Sequence, residues 1–256
     1  TSTLAVTTSR TIISTRFHCI NYEKATATII NLAKTAISSY VVAANVHVVM
    51  SAHGNKNYQE IINQAVLVTP DGMPLVWGLK LLGYPQATRV YGPDLMLKIC
   101  QQAAAENIGI YLYGGTENCL QQLKVNLVKR FPKLKIVGAD SPPFRPLEPE
   151  EEKNALAKIK QSGAGILFVG LGCPKQEIWM ANHYQKLDLV MVGVGAAFNF
   201  HSGLVSQAPR GLMAMGLEWL YRLLVEPRRL WRRYLINNPA FIVLFTWQWL
   251  IKKTTL

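Results

Sequence analysis

The stretch GILFVGLGCPKQE, residues 165–177, decides the fold, because in it a buried strand ends in a glycine turn and leads into a helix. Residues 165–169 are an unbroken apolar run of strand length, and Gly172 lies in the turn that follows. A strand joined to a helix in this way is the repeating unit of parallel α/β sheets. Three polar side chains at the end of the strand are also typical of a binding site. They are Lys175, Gln176 and Glu177.

The same alternation of short apolar runs and helix-period segments covers most of the chain. It predicts strands at residues 11–19, 40–47, 64–69, 108–113, 134–137, 165–169 and 187–193. Helices are predicted at residues 22–38, 58–63, 73–82, 93–106, 117–131, 149–162 and 175–186. The fold class is therefore α/β, with a Rossmann-like, mostly parallel sheet and helices on both faces. We expect this domain to span residues 1–205 and a C-terminal amphipathic helical appendage to span residues 206–256.

The composition is basic and moderately hydrophobic. The 256 residues include 27 basic and 15 acidic side chains, a formal net charge of +12, and 50% are hydrophobic. This composition argues against extended disorder and predicts an anionic partner such as nucleic acid, phospholipid headgroups or a diphosphate. Residues 206–256 hold eight basic side chains, two acidic ones and four of the six tryptophans. Interleaved tryptophans favour a lipid surface, so we expect no nucleic-acid partner.

The C-terminal segment, called the tail below (residues 206–256), predicts successive helices. A first helix covers residues 217–226, Pro227 begins a second, and Pro239 separates it from an apolar third helix. In the second helix, Leu230, Trp231, Tyr234 and Leu235 form a face opposite Arg228, Arg229, Arg232 and Arg233. The third, residues 240–251, would be about 18 Å long, too short to cross a hydrocarbon core of about 30 Å. We therefore expect the tail to lie on an anionic membrane surface. Packing on its own domain, or on a second copy in a homo-oligomer, is the alternative.

Several common signatures are absent from the sequence. The four cysteines have no metal-binding or redox spacing, and the N-terminus lacks a basic segment followed by an unbroken apolar run. We therefore expect a peripheral protein at the cytoplasmic face of the cell membrane. Neither glycine-rich turn completes a dinucleotide fingerprint, and no Walker-type phosphate loop is present. No D-x-D occurs either, so no metal and no cofactor are expected.

Two motifs place charged residues at helix starts. T-P-D-G, residues 69–72, follows an apolar strand and puts Asp71 at the carboxyl-terminal edge of the sheet, where α/β folds bind ligands. A carboxylate there can accept a proton from a hydroxyl group; capping the helix is the alternative. In R-V-Y-G-P-D-L, residues 89–95, the candidate site residues are Arg89, Gly92 and Asp94. For Asp94, favourable electrostatics at the helix N-terminus is the alternative.

Gly114 and Gly115 also stand between a strand and a helix. Glycines at such a turn let backbone N–H groups approach a phosphate or a nucleotide. An ordinary tight turn is the alternative.

Taken in chain order, these motifs resemble the WecG/TagA/CpsF family of glycosyltransferases, over most of the chain from about residue 40. The resemblance rests on Asn45, T-P-D-G at 69–72, R-V-Y-G-P-D-L at 89–95, Y-G-G at 113–115, G-L-G-C-P-K-Q-E at 170–177, G-V-G-A-A-F at 193–198 and the segment 216–234. It implies an inverting, metal-independent enzyme that moves a sugar from a UDP donor to a polyprenyl-diphosphate-linked sugar. The sugar is often N-acetylmannosamine or its uronic acid, and the product belongs to wall teichoic acid, enterobacterial common antigen or exopolysaccharide assembly.

The resemblance also assigns roles to residues. Asp71 corresponds to the family's general base, and Asn45, Arg89 and Gln176 correspond to its Asn, Arg and Gln positions. The resemblance thus implies that Asp71, Arg89 and Gln176 are catalytic and that Asn45 binds substrate. Arginines thought to engage the diphosphate at the membrane correspond to Arg222, Arg228, Arg229, Arg232 and Arg233. We expect the UDP-sugar between the loops around Gly114, Gln176 and Asn199.

Three departures from the family pattern concern the donor side. Ala43, Asn199 and Gln207 stand where members often have Thr, Asp and Arg. The donor sugar is therefore the least secure implication. A non-catalytic nucleotide-binding protein docked on a membrane is the alternative to an enzyme.

Overall fold

The computed structural model describes residues 8–254. The strands are β1 (Ser9–Ile12), β2 (Thr15–His18), β3 (Ser39–Ala44), β4 (Leu67–Pro70), β5 (Gly109–Gly114), β6 (Lys135–Asp140), β7 (Ile166–Gly170) and β8 (Val190–Gly193). The helices are α1 (Tyr22–Lys34), α2 (Val46–Gly54), α3 (Lys56–Gln64), α4 (Met73–Leu81), α5 (Gly92–Ala105), α6 (Glu117–Arg130), α7 (Pro149–Gln161), α8 (Lys175–His183), α9 (Ala197–Ser202), α10 (Arg210–Ala214), α11 (Glu218–Val225) and α12 (Pro227–Thr254).

Six strands form one parallel sheet in the order β4-β3-β8-β7-β5-β6. Side chains of β7 show why it is central: Ile166 and Phe168 pack into one apolar cluster, and Leu167 and Val169 into the cluster on the other face. Both faces are covered, so the strand is apolar throughout. The predicted α/β class with a parallel, Rossmann-like sheet is confirmed.

The first predicted strand, residues 11–19, is wrong in its bounds and its sheet. The segment forms the antiparallel hairpin of β1 and β2, which is separate from the parallel sheet. Ile13 adopts φ 58° at the turn, a left-handed conformation that ends β1. Because the hairpin strands have four residues each, the apolar pattern was too short to reveal the turn between them.

The predicted strand at residues 40–47 ends early, and several short helices were not predicted. β3 stops at Ala44, and Asn45 caps the N-terminus of α2 through its side chain, which accepts from the N–H groups of His47 and Val48. The apolar run continues into α2 without a break, so hydrophobicity alone hid the boundary. The unpredicted helices are α2, α9 and α10.

The tail contains one long helix where two were predicted. α12 runs from Pro227 to Thr254 with Pro239 inside it. Proline removes one helical hydrogen bond, but packing of the flanking turns against the body compensates for the loss. Phe241 and Phe245 are buried, and a Cβ on Gly78 of α4 would lie 3.2 Å from the Phe245 ring. The side chain of Gln248 bonds the backbone of the β1–β2 hairpin. The predicted break at Pro239 is therefore wrong, and the tail packs on its own domain.

In the tail, charged side chains of α11 face the body, and several apolar side chains of α11 and α12 face solvent. On α12 the predicted apolar face is divided: Leu230 is buried, whereas Trp231 and Leu235 are 45% and 57% exposed. On α11, Glu218 and Arg222 face the body, while Leu224 is 74% exposed. The predicted separation of faces on α12 is wrong, because the inner stripe follows contacts with the body. The predicted division at residue 205 stays a prediction, and residues 1–7, 255 and 256 of it lie outside the described residues.

We predict that Phe241→Ala destabilises the protein by about 3 kcal/mol, because the truncation leaves a cavity between α12 and the body. For a chain of this size, the melting temperature should fall by about 6–12 °C, and amide hydrogen exchange in α12 should rise. Ile242→Ala, at a side chain that is 62% exposed, is the matched control and should change neither quantity. Equal behaviour of the two variants would contradict the packing of α12.

Candidate active site

A cavity of about 1160 Å³ lies at the carboxyl ends of the parallel strands. Its walls come from the loops after β3, β4, β5, β7 and β8, from the proline-rich segment after β6, and from α11 and α12 of the tail. Most of the residues singled out from the sequence line it. They are Asn45, Asp71, Gly92, Gly115, Gly172, Lys175, Gln176, Glu177, Asn199, Arg222, Arg229, Arg232 and Arg233.

Asp71 follows β4 and is held in place by two hydrogen bonds, one made by its backbone N–H and one accepted by its carboxylate. Its N–H donates to the carbonyl of Ala44, and its Oδ1 accepts from the N–H of Gly92 at 2.7 Å. Within residues 8–254, no hydrogen bond reaches its Oδ2. Burial raises the pKa of Asp71 to about 6, with Arg89 and the Gly92 N–H acting to lower it and Glu218 acting to raise it. A partly desolvated carboxylate with one unbonded oxygen at a cavity wall is suited to accept a proton near neutral pH.

Arg89 lies behind Asp71 and outside the cavity lining. Its Nε donates to the backbone carbonyl of Asp71, and its Nη2 donates to Oε2 of Glu218 on α11. Burial acts to lower the pKa of Arg89, but the carboxylates of Asp71 and Glu218 outweigh burial and raise it. The structure thus places Arg89 as a bridge between the Asp71 loop and the tail.

Gln176 and Glu177 lie at the start of α8 and are almost completely buried. The amide of Gln176 is fixed in orientation: its Oε1 accepts from the N–H of Gly195 at 3.1 Å, and its Nε2 donates to Glu177 at 2.7 Å. The other oxygen of Glu177 accepts from Tyr58 at 3.0 Å, and burial raises the pKa of Glu177. The remaining N–H of the Gln176 amide is the group it can offer to a ligand.

Asn45 connects the strand-end loops to α12. Its Oδ1 caps α2 and also accepts from Nη2 of Arg233 at 3.3 Å. One turn further along α12, Asn237 donates to Nδ1 of His47 at 2.9 Å. Burial, followed by the charge of Arg233, lowers the pKa of His47 to about 4. His47 is therefore neutral at physiological pH and can accept this bond.

Of the five tail arginines singled out from the sequence, four line the cavity. Arg222 and Arg233 reach the cavity, and in each the Nε is buried without a hydrogen-bond partner among the described residues. Burial lowers the pKa of Arg233. Guanidinium groups at a cavity wall can bind an anion through charge-assisted hydrogen bonds. Arg229 lines the cavity but also pairs with Glu226 at 2.7 Å. Arg228 is exposed and lies outside the lining.

Gly114 and Gly115 have different tasks. Gly114 has φ +123° and lies so close to β7 that an added Cβ would be 2.6 Å from the carbonyl carbon of Gly170. It is required for strand packing and does not line the cavity. Gly115, with φ +70°, does line the cavity and leads to Thr116, which caps α6 through its side chain.

Asp94 and Asn199 are held by neighbouring groups. Asp94 lies outside the cavity lining and forms a two-bond ion pair with Arg210, at 2.6 and 2.9 Å. This pair accounts for its charge at the start of α5. Asn199 lines the cavity from α9, and its Oδ1 lies 3.4 Å from Sγ of Cys119.

Comparison with known proteins decides the family. A family model described as the glycosyl transferase WecG/TagA/CpsF family matches residues 10–255. The chain belongs to this family. The resemblance drawn from the motifs is confirmed, and the protein is a glycosyltransferase. It is similar to the N-acetylglucosaminyldiphosphoundecaprenol N-acetyl-beta-D-mannosaminyltransferase of Bacillus spizizenii (strain ATCC 23059 / NRRL B-14472 / W23). The two are 31% identical over 206 residues, which are 80% of this chain and 77% of the relative.

Sequence reasoning missed three residues at the site of this glycosyltransferase. Glu218 and Tyr91 bond each other at 3.0 Å beneath Asp71, a contact 127 positions apart in the chain that no local pattern could reveal. Phe144, in the proline-rich loop that lines the cavity, is 83% exposed. An aromatic residue among four prolines was a usable signal for this position.

The part of the chain that the structure describes contains neither a metal-ligand cluster nor a membrane-spanning helix. No group of three or more His, Cys, Asp or Glu side chains in residues 8–254 is arranged to hold a metal ion. In the same part of the chain, no helix combines the length and the apolar character needed to span a bilayer.

We predict that Asp71→Asn stabilises this glycosyltransferase at pH 8. The folded-state pKa of Asp71, about 6, is above its usual 3.8, so the carboxylate destabilises the fold as the pH rises through this window. The gain is on the order of 1 kcal/mol after allowance for partial solvent contact, or about 2–4 °C in melting temperature. At pH 3.5, where the carboxyl group is largely protonated in both states, the gain should vanish. An equal or lower melting temperature of the variant at pH 8 would contradict the burial of this charge.

Proposed function

We propose that this glycosyltransferase moves a sugar from a UDP donor to a sugar carried on a polyprenyl diphosphate, with inversion at the anomeric carbon. The observation that supports it most is the unbonded Oδ2 of Asp71 in a cavity that the tail arginines also line. The acceptor class follows the printed name of the Bacillus spizizenii relative, an N-acetylglucosaminyldiphosphoundecaprenol. That name also makes N-acetylmannosamine the first donor sugar to test. The product would enter a cell-surface polysaccharide.

The carboxylates of the cavity support a single displacement. Glu177 is bonded to Gln176 and Tyr58, and Glu152 pairs with His183 at 2.7 Å. Both oxygens of Glu177 are thus bonded and Glu152 is held in an ion pair, whereas the Asp71 carboxylate accepts a hydrogen bond from the Gly92 N–H alone within residues 8–254. It would take the proton of the acceptor hydroxyl while the hydroxyl oxygen attacks the anomeric carbon and the bond to UDP breaks. One such attack inverts the configuration.

Protein groups alone can neutralise the negative charge of the donor diphosphate. Arg222 and Arg233 line the cavity, where their guanidinium groups can bind the diphosphate, and charge-assisted bonds of this kind stabilise a leaving phosphate. The N-terminus of α6 beside Gly115 adds a favourable dipole for an anion. We therefore propose metal-independent catalysis. Phe144 and Asn199 at the rim are candidates to contact the nucleoside.

The outward apolar side of the tail supports docking on a membrane, where a polyprenyl acceptor resides. Ile242, Val243 and Trp247 are 62%, 67% and 65% exposed, and the exposed Arg228 and Arg232 lie on the same helix. Apolar side chains and tryptophan enter the headgroup region, and arginines attract anionic lipid. The four cysteines are free, which is consistent with the reducing cytoplasmic side. We propose a peripheral position at the cytoplasmic face.

We predict that Asp71→Asn lowers kcat for transfer to a short-chain prenyl-diphosphate-GlcNAc acceptor by about 100-fold or more, because the amide cannot accept the proton. Turnover would be measured as labelled sugar moved from a set of UDP-sugars to the acceptor. Asp188→Asn, at a carboxylate that is 70% exposed and paired with Lys160, is the matched control. Near wild-type turnover by Asp71→Asn would exclude the base assignment. Absence of transfer by the wild type from every donor would exclude the proposed function itself.

We predict that the triple variant Ile242→Ser, Val243→Ser and Trp247→Ser no longer sediments with vesicles containing anionic phospholipid, because it loses the three large apolar side chains of α12 that are most exposed among the described residues. The control substitutes two exposed valines of α6, Val125→Ser and Val128→Ser, which are 58% and 45% exposed. This control should sediment like the wild type. Retention of vesicle binding by the triple variant would contradict docking through α12.

A further inference from the structure

We propose that Glu218 is a positioning residue for sugar transfer: by binding both Arg89 and Tyr91, it holds α11 against the Asp71 loop and keeps the unbonded oxygen of Asp71 directed into the cavity. The inference rests on the proposed function, in which Asp71 is the base. Glu218 itself does not line the cavity and, in this account, does not touch the substrate.

The contacts of Glu218 leave neither carboxylate oxygen free. Oε2 accepts from Nη2 of Arg89, and Oε1 accepts from the hydroxyl of Tyr91 at 3.0 Å. The guanidinium of Arg89 stacks on the ring of Tyr91, 4.1 Å from its centre. The three side chains are mutually in contact, and each one restricts the other two.

This cluster is shielded from solvent, so its ion pair differs from a surface salt bridge. The side chains of Arg89 and Glu218 are 16% and 13% exposed, and Tyr91 is 3% exposed. Removing one partner of such a pair leaves the other charge buried without compensation. Loss of the Glu218 charge would therefore affect Arg89 directly, whereas loss of an exposed pair has little effect.

Arg89 transmits this constraint to the base. Its Nε donates to the backbone carbonyl of Asp71, while the next residues after Tyr91 begin α5 with the Gly92 N–H that binds Oδ1 of Asp71. Glu218 thus acts on Asp71 from two sides, through Arg89 on the carbonyl and through Tyr91 on the segment that supplies the Gly92 N–H.

The same residue also places an arginine of the anion site. Arg222 lies one turn after Glu218 on α11, so both side chains point to the same side of the helix. Anchoring Glu218 on Arg89 therefore brings Arg222 to the cavity beside Asp71, and the charge of Arg222 acts on the Asp71 carboxylate. The contact between Glu218 and Arg89 therefore positions both Asp71, the proposed base, and Arg222, a proposed ligand of the donor diphosphate.

The test compares the full-length wild type with Glu218→Gln, which keeps the shape and removes the charge. With UDP-sugar and the lipid-linked acceptor, we expect kcat to fall by about tenfold or more, since a small misplacement of a catalytic group costs up to about 100-fold. The KM for the donor should rise by a smaller factor than kcat falls, because Glu218 reaches the diphosphate only through Arg222. Glu218 acts to raise the pKa of Asp71, so the acid limb of the pH profile of kcat/KM should move to lower pH.

Matched variants distinguish positioning from a general loss of stability. Glu150→Gln, at a carboxylate that is 72% exposed and does not line the cavity, removes the same charge and should leave kcat and the pH profile unchanged. The double variant Arg89→Gln, Glu218→Gln should lose little more activity than the more impaired single variant, because residues that act as a unit are not additive. If Glu218→Gln does not fold, Tyr91→Phe, which removes a single hydrogen bond, should still lower kcat by about threefold.

The proposal is overturned if Glu218→Gln matches Glu150→Gln in kcat, or if its loss lies in KM alone. It is also overturned if kcat falls together with the melting temperature while the acid limb stays in place, or if Tyr91→Phe keeps the wild-type kcat. Failure of the proposed function looks different: the wild type transfers no sugar, or Asp71→Asn remains active. With a transferring wild type and an inactive Asp71→Asn, the Glu218 variants decide the positioning role alone.

Discussion

The ion pair between Arg89 and Glu218 connects the strand-end loops to the tail, which forms part of the cavity wall. A charge pair with this little solvent contact is stable only if the remaining donors and acceptors are also satisfied. Here Arg89 reaches the Asp71 carbonyl and Glu218 reaches Tyr91, so the pair is embedded in a bonded cluster. These hydrogen bonds consequently connect Asp71 to the tail helices that carry the arginines of the cavity wall.

The orientation of the tail follows from the same distribution of charge. Arg222 and Arg233 line the cavity, whereas Trp247 and Ile242 face outward. In water, this arrangement exposes apolar surface that most soluble proteins cover. In the proposed membrane-bound state, the same surface would enter the headgroup region, and the cavity would open beside the phase in which a polyprenyl chain is dissolved. Under this proposal, α11 and α12 would serve both the cavity and the membrane.

The sheet and most of the site could be predicted because they follow local rules. The apolar run of β7 and the glycine turn after it predict a strand end, and parallel strands bring all such ends to one edge. Asp71, Asn45 and Gln176 therefore meet, as expected. The tail could not be predicted in the same way. Packing of Phe241 and Phe245 carries α12 through Pro239 against the helix-breaking tendency of proline, and the role of Glu218 depends on a contact 129 positions away in the chain.

The most direct test of a tail-completed active site is sugar transfer to a water-soluble acceptor analogue without vesicles, by the full-length protein with Arg222→Ala and Arg233→Ala. Because these arginines are part of the cavity wall, kcat should fall by about 100-fold or more even though no membrane is present. Arg130→Ala, at an exposed arginine of α6, is the control and should keep the wild-type rate. A double variant as active as the wild type under these conditions would contradict the account, because the tail would then serve only as an anchor.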